Sequence, residues 1–180
     1  MADIQQAGYT MKASVKTSAV TKSEEVSLKV KPLYLESLTL VERLHRRLLD
    51  VIKDEFERRN RDDVNSVQAL LLYNIGDAEL SASELRTRGY YLGSNVSYNV
   101  KKLVELGYLH HARSRIDRRS VRISLTEKGG EVHNLVKGVY DKHVQTVEQI
   151  GGIAPDDFER MNNALLRLER FWTDQIRYKL

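Results

Sequence analysis

The sequence predicts a mainly α-helical fold with one small β-hairpin, on three observations. From residue 33 onward, apolar residues recur mostly at spacings of three and four between capping residues and glycines, the helical period. One short stretch alternates instead, with Val121, Ile123 and Leu125 set against Ser120, Arg122 and Ser124, the period of a strand. Pro32 and Pro155, the only prolines, stand where long helical patterns begin, a position where a missing N–H costs nothing.

Residues 1–31 are rich in Lys, Ser and Thr without a period, which predicts a flexible N-terminal arm. A first helix follows over 32–62. Leu33, Leu40, Leu44, Leu48 and Val51 fall on one face, and Tyr34, Leu38, Val41, His45, Ile52 and Phe56 on the adjacent one. That apolar sector covers about half the circumference, where a helix on a single core needs only about 100°. Such width suits a helix that packs on its own core and on a second subunit, or one buried between two parts of one chain.

Val64–Ile75 is a shorter second helix ended by Gly76. Ser81-Ala82-Ser83-Glu84 is a capping box that opens a third helix, stopping at Gly89. A fourth runs from about Ser94 to Leu106 and closes at Gly107. Leu109–Ser114 and Ser120–Thr126 are strands, and Arg115–Arg119 is the tip between them. Thr126 caps a fifth helix that reaches about Ile150, with Val132, Val136, Val139, His143, Val147 and Ile150 as its seam. Gly151-Gly152 breaks it. Pro155, Asp156 and Asp157 open a sixth, whose seam is Phe158, Met161, Leu165, Leu168 and Trp172.

Charge is placed unevenly. The net charge is +4, and the segment Arg113–Arg122 holds five arginines (Arg113, Arg115, Arg118, Arg119, Arg122) with one acid, Asp117. Outside it, 24 basic and 24 acidic residues cancel, so the whole excess sits on the hairpin. A run of charge is commonly a solvated face. Arginine points further, because its planar fork matches phosphate and base edges.

The helix over 94–106 carries the second signal. Val96, Val100, Leu103 and Leu106 hold it to the domain, while Ser94, Asn95, Ser97, Tyr98, Lys101, Lys102 and Glu105 line its other side. Apart from Glu105 these are hydrogen-bonding or cationic groups, where a merely solvated helix would mix acids and bases. The order of elements is that of a winged helix-turn-helix plus a helical dimerisation region, mainly α with a small β-wing. In that arrangement the helix enters the major groove of double-stranded DNA. Asn95 can read adenine, Ser94 or Ser97 can bond a base or a phosphate, Tyr98 can pack on sugar or a thymine methyl, and Lys101 and Lys102 can hold phosphates. Arg113, Arg115, Arg118 and Arg119 suit the minor groove at the wing. From the tip's chemistry alone, Asp117 is either a partner that fixes an arginine or an ordinary turn acid.

Leu92-Gly93-Ser94-Asn95-Val96-Ser97, Leu103-Val104-Glu105-Leu106-Gly107-Tyr108-Leu109 and Asp117-Arg118-Arg119-Ser120-Val121-Arg122-Ile123-Ser124-Leu125-Thr126-Glu127-Lys128-Gly129 resemble the MarR family of bacterial regulators, and within it the alphaproteobacterial LdtR-type branch. The Asp-x-Arg wing followed by Leu-Thr-x-x-Gly is the most specific mark, and the resemblance covers about residues 32–180. It implies that Asp117 and Arg119 form the wing pair, and that a homodimer is built from the first and the last two helices. It also implies an effector pocket where the first helix, the DNA-binding lobe and the dimer lobe meet. On that basis Tyr34, Ser37, Leu38, Val41, His45 and Tyr73 are candidate contacts for a small apolar or aromatic effector, with His45 alternatively a core histidine. Two features depart from the family pattern: the longer turn Thr87–Tyr91 and the 31-residue arm. The implied organisation is an arm (1–31), an N-terminal dimerisation helix (32–62), a DNA-binding lobe (63–126) and C-terminal dimerisation helices (127–180).

Other functions are disfavoured. There are no cysteines, which excludes disulfides, a thiol redox switch and Cys-ligated zinc. The five histidines have no metal-ligand spacing, and no phosphate loop, nucleophile elbow or distinctive carboxylate pair occurs, so neither an enzyme nor a cofactor or metal is expected. No apolar run approaches membrane length, and residues 1–30 lack a secretory signal, which predicts a cytoplasmic, nucleoid-associated protein. The alternative is a winged-helix protein–protein module without sequence-specific DNA binding, for which an arginine tip would be superfluous.

Overall fold

The computed structural model describes residues 3–81, 84–85, 93–113 and 121–179, with side chains from residue 27 onward except at 93–94, 113 and 121. The chain divides into two units, Met1–Val51 and Ile52–Leu180.

The first unit is helical. Helix α1 runs Asp3–Arg58 with Pro32 inside it, so most of the expected flexible arm is helix and the proline does not mark a start. The physical reason lies in composition: Gln, Ala, Met, Lys and Glu between residues 3 and 31 are tolerant of helix, and a proline costs one backbone bond rather than the whole element once turns on both sides are in place. Just past Pro32, Ser37 Oγ donates to the Leu33 carbonyl (2.8 Å) and Thr39 Oγ1 to that of Leu35 (3.1 Å). Leu28, Val30, Leu33, Leu35, Leu40, Val41 and Leu44 are all exposed.

The second unit holds the core. The end of α1 contributes Ile52 and Phe56. Helix α2 spans Ser66–Ile75, two residues later than the periodicity suggests, because Asn65 is the cap. The Gln68 N–H donates to Asn65 Oδ1 (2.9 Å) and the Asn65 N–H to Gln68 Oε1 (3.1 Å), a reciprocal capping box. Leu71, Leu72 and Ile75 of α2 are buried, and the helix packs chiefly on α4 (Glu127–Gly151). Strand β1, Leu80–Ser81, follows; two residues are too few to show an alternation, and the sequence pattern does not reveal it. Ser81 also opens the expected capping box, its N–H donating to Glu84 Oε2 (2.7 Å) and its Oγ accepting from the Glu84 N–H (3.2 Å).

Helix α3 spans Gly93–Glu105, and strands β2 (Leu109–Arg113) and β3 (Val121–Leu125) form the wing. The sheet is antiparallel in the order β1-β3-β2, with Leu109 opposite Leu125 and Leu80 opposite Ile123. Ser114 and Ser120, the tip-side ends of the expected strands, lie outside the described residues, and β3 stops at Leu125 because Thr126 turns to cap α4. Helix α5 spans Pro155–Tyr178, with the Ala154 N–H donating to Asp157 Oδ2 (3.1 Å) at its start. None of its residues is buried in the single chain, although Met161, Leu165 and Trp172 lie on its seam.

One carboxylate joins α1 to α4. Glu55 is buried and accepts from Arg59 Nη2 (2.8 Å) and Nε (2.9 Å), with Lys142 Nζ of α4 at 3.6 Å. The Arg59 hydrogen bond holds its carboxyl below the ordinary value of 4.5, against the opposing effect of burial, with Lys142 adding to the lowering. A depressed carboxylate stabilises the fold fully above its unfolded value and loses that contribution as pH falls through its native one. Glu55→Gln is therefore expected to destabilise at neutral pH by about 1–3 kcal/mol. The loss should shrink toward zero below about pH 4, read as urea midpoints across a pH series.

Candidate nucleic-acid interface

Helix α3 is locked to the core by one face only. Val96, Val100 and Leu103 are buried, and Leu106 beyond its end is half-buried. Asn95, Ser97, Tyr98, Lys101 and Lys102 are exposed on the other side, with Tyr98 69% accessible. Ser94 lies in the first turn, and its side chain is outside the described residues. That turn carries no acidic residue. Lys101 meets Glu105 only at 4.0 Å, in a pair whose side chains are 80% and 53% exposed, a contact too weak to hold the ammonium from another anion.

The wing is described up to its base. Arg113 closes β2 opposite Val121, with its side chain outside the described residues. Arg115, Asp117, Arg118 and Arg119 lie outside them altogether. Arg122 departs from the charge-run reading. Its Nη1 donates to Glu84 Oε2 at 3.0 Å and stands 3.5 Å from the Glu79 carbonyl oxygen, so it ties β3 to the capping box below α3. One of the five arginines thus serves the fold. The sequence carried only a faint sign of this, the clean alternation that fixes Arg122 on the polar face.

The end of α3 is held with more contacts than the pattern suggested. The Gly107 N–H donates to the Val104 carbonyl (3.0 Å) and the Tyr108 N–H to that of Leu103 (2.8 Å), a Schellman closure with Gly107 at φ 77°, where a side chain would be strained. The start of α4 then seizes this turn. Thr126 donates its N–H to the Tyr108 carbonyl (3.1 Å) and its Oγ1 to that of Gly107 (2.8 Å), while the same Oγ1 accepts from the Gly129 N–H (3.1 Å). Lys128 Nζ donates to the Leu106 carbonyl (3.1 Å) and sits 4.1 Å from the centre of the Tyr108 ring. A Cβ on Gly129 would stand 2.2 Å from the Tyr108 carbonyl oxygen. Thr126, Lys128 and Gly129 belong to the Leu-Thr-x-x-Gly stretch, whose spacing thereby acquires a mechanical reason.

Comparison with known proteins fits this geometry. Residues 64–129 match the family profile described as a winged helix DNA-binding domain. The structure of FabT from Streptococcus pneumoniae in complex with DNA superposes with a TM-score of 0.59 at 24% identity, covering 78% of this chain and 98% of that one. A putative MarR family regulator from Listeria monocytogenes, complexed with a 26mer DNA, gives 0.65 at 17% identity over 78% of this chain and 91% of that one. The exopolysaccharide II synthesis transcriptional activator ExpG of Rhizobium meliloti is 35% identical over 149 residues, 81% of this chain and 74% of that protein. The chain belongs to the MarR family of winged-helix transcriptional regulators.

In this MarR-family chain the effector candidates fall in separate units. Tyr34, Ser37, Leu38, Val41 and His45 lie along α1 in the first, with Tyr34 and Leu38 half-buried and the others exposed. His45 is thus no core histidine of the single chain. Ser37 spends its hydroxyl proton on the Leu33 carbonyl. Tyr73 lies on α2 in the second unit, stacked on His133 of α4 (centroids 5.2 Å apart) and meeting Tyr140 edge-on at 4.8 Å. His133 Nδ1 is buried there without a hydrogen-bond partner among the described residues. Among those residues no cluster of three His, Asp or Glu could hold a metal ion, and no helix is long and apolar enough to cross a membrane.

Proposed function

We propose that this MarR-family regulator acts as a homodimer that binds a pseudo-palindromic operator in double-stranded DNA. Each copy inserts α3 into a major groove and sets its arginine-rich tip in the neighbouring minor groove. The observation that carries this reading is the outward face of α3: exposed Asn95, Ser97, Tyr98, Lys101 and Lys102 on a helix whose back is fixed to the core, with no acid in its first turn. Asn95 and Ser97, with Ser94, serve base and phosphate contacts, and the two lysines hold the backbone. Arg113, Arg115, Arg118 and Arg119 supply the minor-groove charge, with Asp117 paired to Arg119.

Two apolar surfaces support the dimer. Leu33, Leu40 and Leu44 of α1, and Met161, Leu165, Phe171, Trp172 and Ile176 of α5, are 38–81% exposed in one chain, more apolar surface than a soluble monomer ordinarily shows. A two-fold dimer would set its recognition helices about one DNA turn apart, roughly 34 Å. A small apolar or aromatic effector modulates binding to the extent that it prefers one spacing of the lobes. No cofactor or catalytic step enters this reading, and it places the protein on the nucleoid in the cytoplasm.

The test is selection from a random duplex pool at two salt concentrations, followed by sequencing. An inverted repeat should be enriched, and its affinity should fall with log salt at a slope of about 0.9 per phosphate neutralised. A pool without enrichment, bound weakly and independently of salt, would reassign the wing to a protein partner.

A further inference from the structure

The connection between α1 and α2 reaches the turn at the end of α3. Tyr108 is wholly buried, yet its hydroxyl donates to Asp63 Oδ2, 45 residues earlier in the chain. Arg61 flanks the same carboxylate, with Nη2 3.3 Å from Oδ2 and Nε 3.4 Å from Oδ1. Its remaining fork nitrogen, Nη1, lies 3.4 Å from Glu131 Oε2 on the first turns of α4. Burial would raise the Asp63 carboxyl, but the hydrogen bonds from Tyr108 and Arg61 prevail and hold it below its ordinary value, while burial and that same carboxylate raise the Tyr108 phenol. The phenol therefore stays a donor and the carboxylate stays an acceptor.

We propose that Asp63 and Tyr108, braced by Arg61 and Glu131, are positioning residues for DNA recognition: they fix the angle at which α3 and the wing meet the duplex. The pair acts through the turn and touches no DNA, and the inference rests on the regulator reading above. Gly107 and Tyr108 are the hinge between the recognition helix and β2. The clamp from Thr126, Lys128 and Gly129 fixes that hinge from one element, α4. The Asp63 bond fixes it from a second, so the turn is held against rotation about the axis of the first set of contacts. Base readout demands placement within about 0.5 Å, whereas attraction between basic side chains and phosphates tolerates more. A loosened hinge should cost specific binding and spare the rest.

Tyr108→Phe keeps the buried ring and removes only the hydroxyl. It is expected to lower operator affinity roughly ten-fold, the equivalent of one charge-assisted hydrogen bond, with affinity for a random duplex of equal length unchanged. Asp63→Asn should do the same, and the double variant should be no worse than either single one. A merely structural role would lower both affinities together through the folded fraction and leave their ratio as in the parent, which would overturn the proposal. Additive losses in the double variant would overturn it as well. A parent protein without sequence preference defeats the regulator reading and this one with it. A parent with a clear operator that Tyr108→Phe binds equally well defeats this one alone.

Discussion

Gly129→Ala is expected to be the most damaging glycine-to-alanine change among the described residues, while the same change one residue on, Gly130→Ala, should be harmless. The added carbon at 129 would stand 2.2 Å from the Tyr108 carbonyl oxygen and 3.3 Å from Leu125 Cδ2, about an ångström inside contact on the backbone side. Neither wall can yield cheaply. The carbonyl belongs to a turn already bonded to Thr126, and the glycine to the first turn of α4. A loss of about 3 kcal/mol or more is expected, the upper range for overpacking, with the urea midpoint as readout. A Cβ at Gly130 meets nothing within 4 Å, so alanine there should stabilise by about 0.5–1 kcal/mol through helix propensity. Equal effects at the two glycines would show that the close approach of α4 to the turn has been misread.

Removing both Arg118 and Arg119 is expected to weaken operator binding by roughly a hundred-fold or more. Each guanidinium contact in such a complex is worth about 1–3 kcal/mol, and the two lie at the tip of the segment that carries the protein's whole net charge. The salt dependence should flatten by about one to two units of slope, because fewer counterions are released on binding. Stability should be unchanged, which a urea titration of the Arg118→Ala/Arg119→Ala protein checks. Undiminished operator affinity in a folded double variant would remove the wing from the interface. Arg122 is no substitute in this experiment, since its guanidinium already answers Glu84.

What could be read in the sequence was what local physics determines. Helices α2, α3, α4 and α5 announced themselves by period, the last two also by Thr126 at the cap and Pro155 in the first turn, and β3 by alternation, while the helix expected after Ser81 lies largely outside the described residues. The start of α1 did not, since the arm's mixed composition has no apolar stripe strong enough to separate helix from coil. Strand β1 exists because Leu80 and Ser81 find β3, a pairing some 40 residues distant that two residues cannot encode alone. The outward face of α3 was legible because every group on it but Glu105 is hydrogen-bonding or cationic. The clamp around Tyr108 was not: Asp63 and Thr126 are 45 and 18–19 residues away in the chain, and nothing in Asp-Val-Asn or Leu-Thr-Glu says what each will touch. Arg122 shows the reverse failure, a charge assigned by its neighbours in sequence and claimed by a neighbour in space.

The one-sided anchoring of α3 bears on how such a protein changes over generations. Val96, Val100 and Leu103 carry the helix's share of the folding free energy, and Asn95, Tyr98 and Lys102 stand in solvent. On the proposed reading of that face as the base-reading surface, substitutions there leave packing untouched, so a lineage can drift from one binding sequence to another in single steps without passing through an unfolded intermediate. After a gene duplication, the two descendants could separate their targets at those few positions and keep every other residue in common.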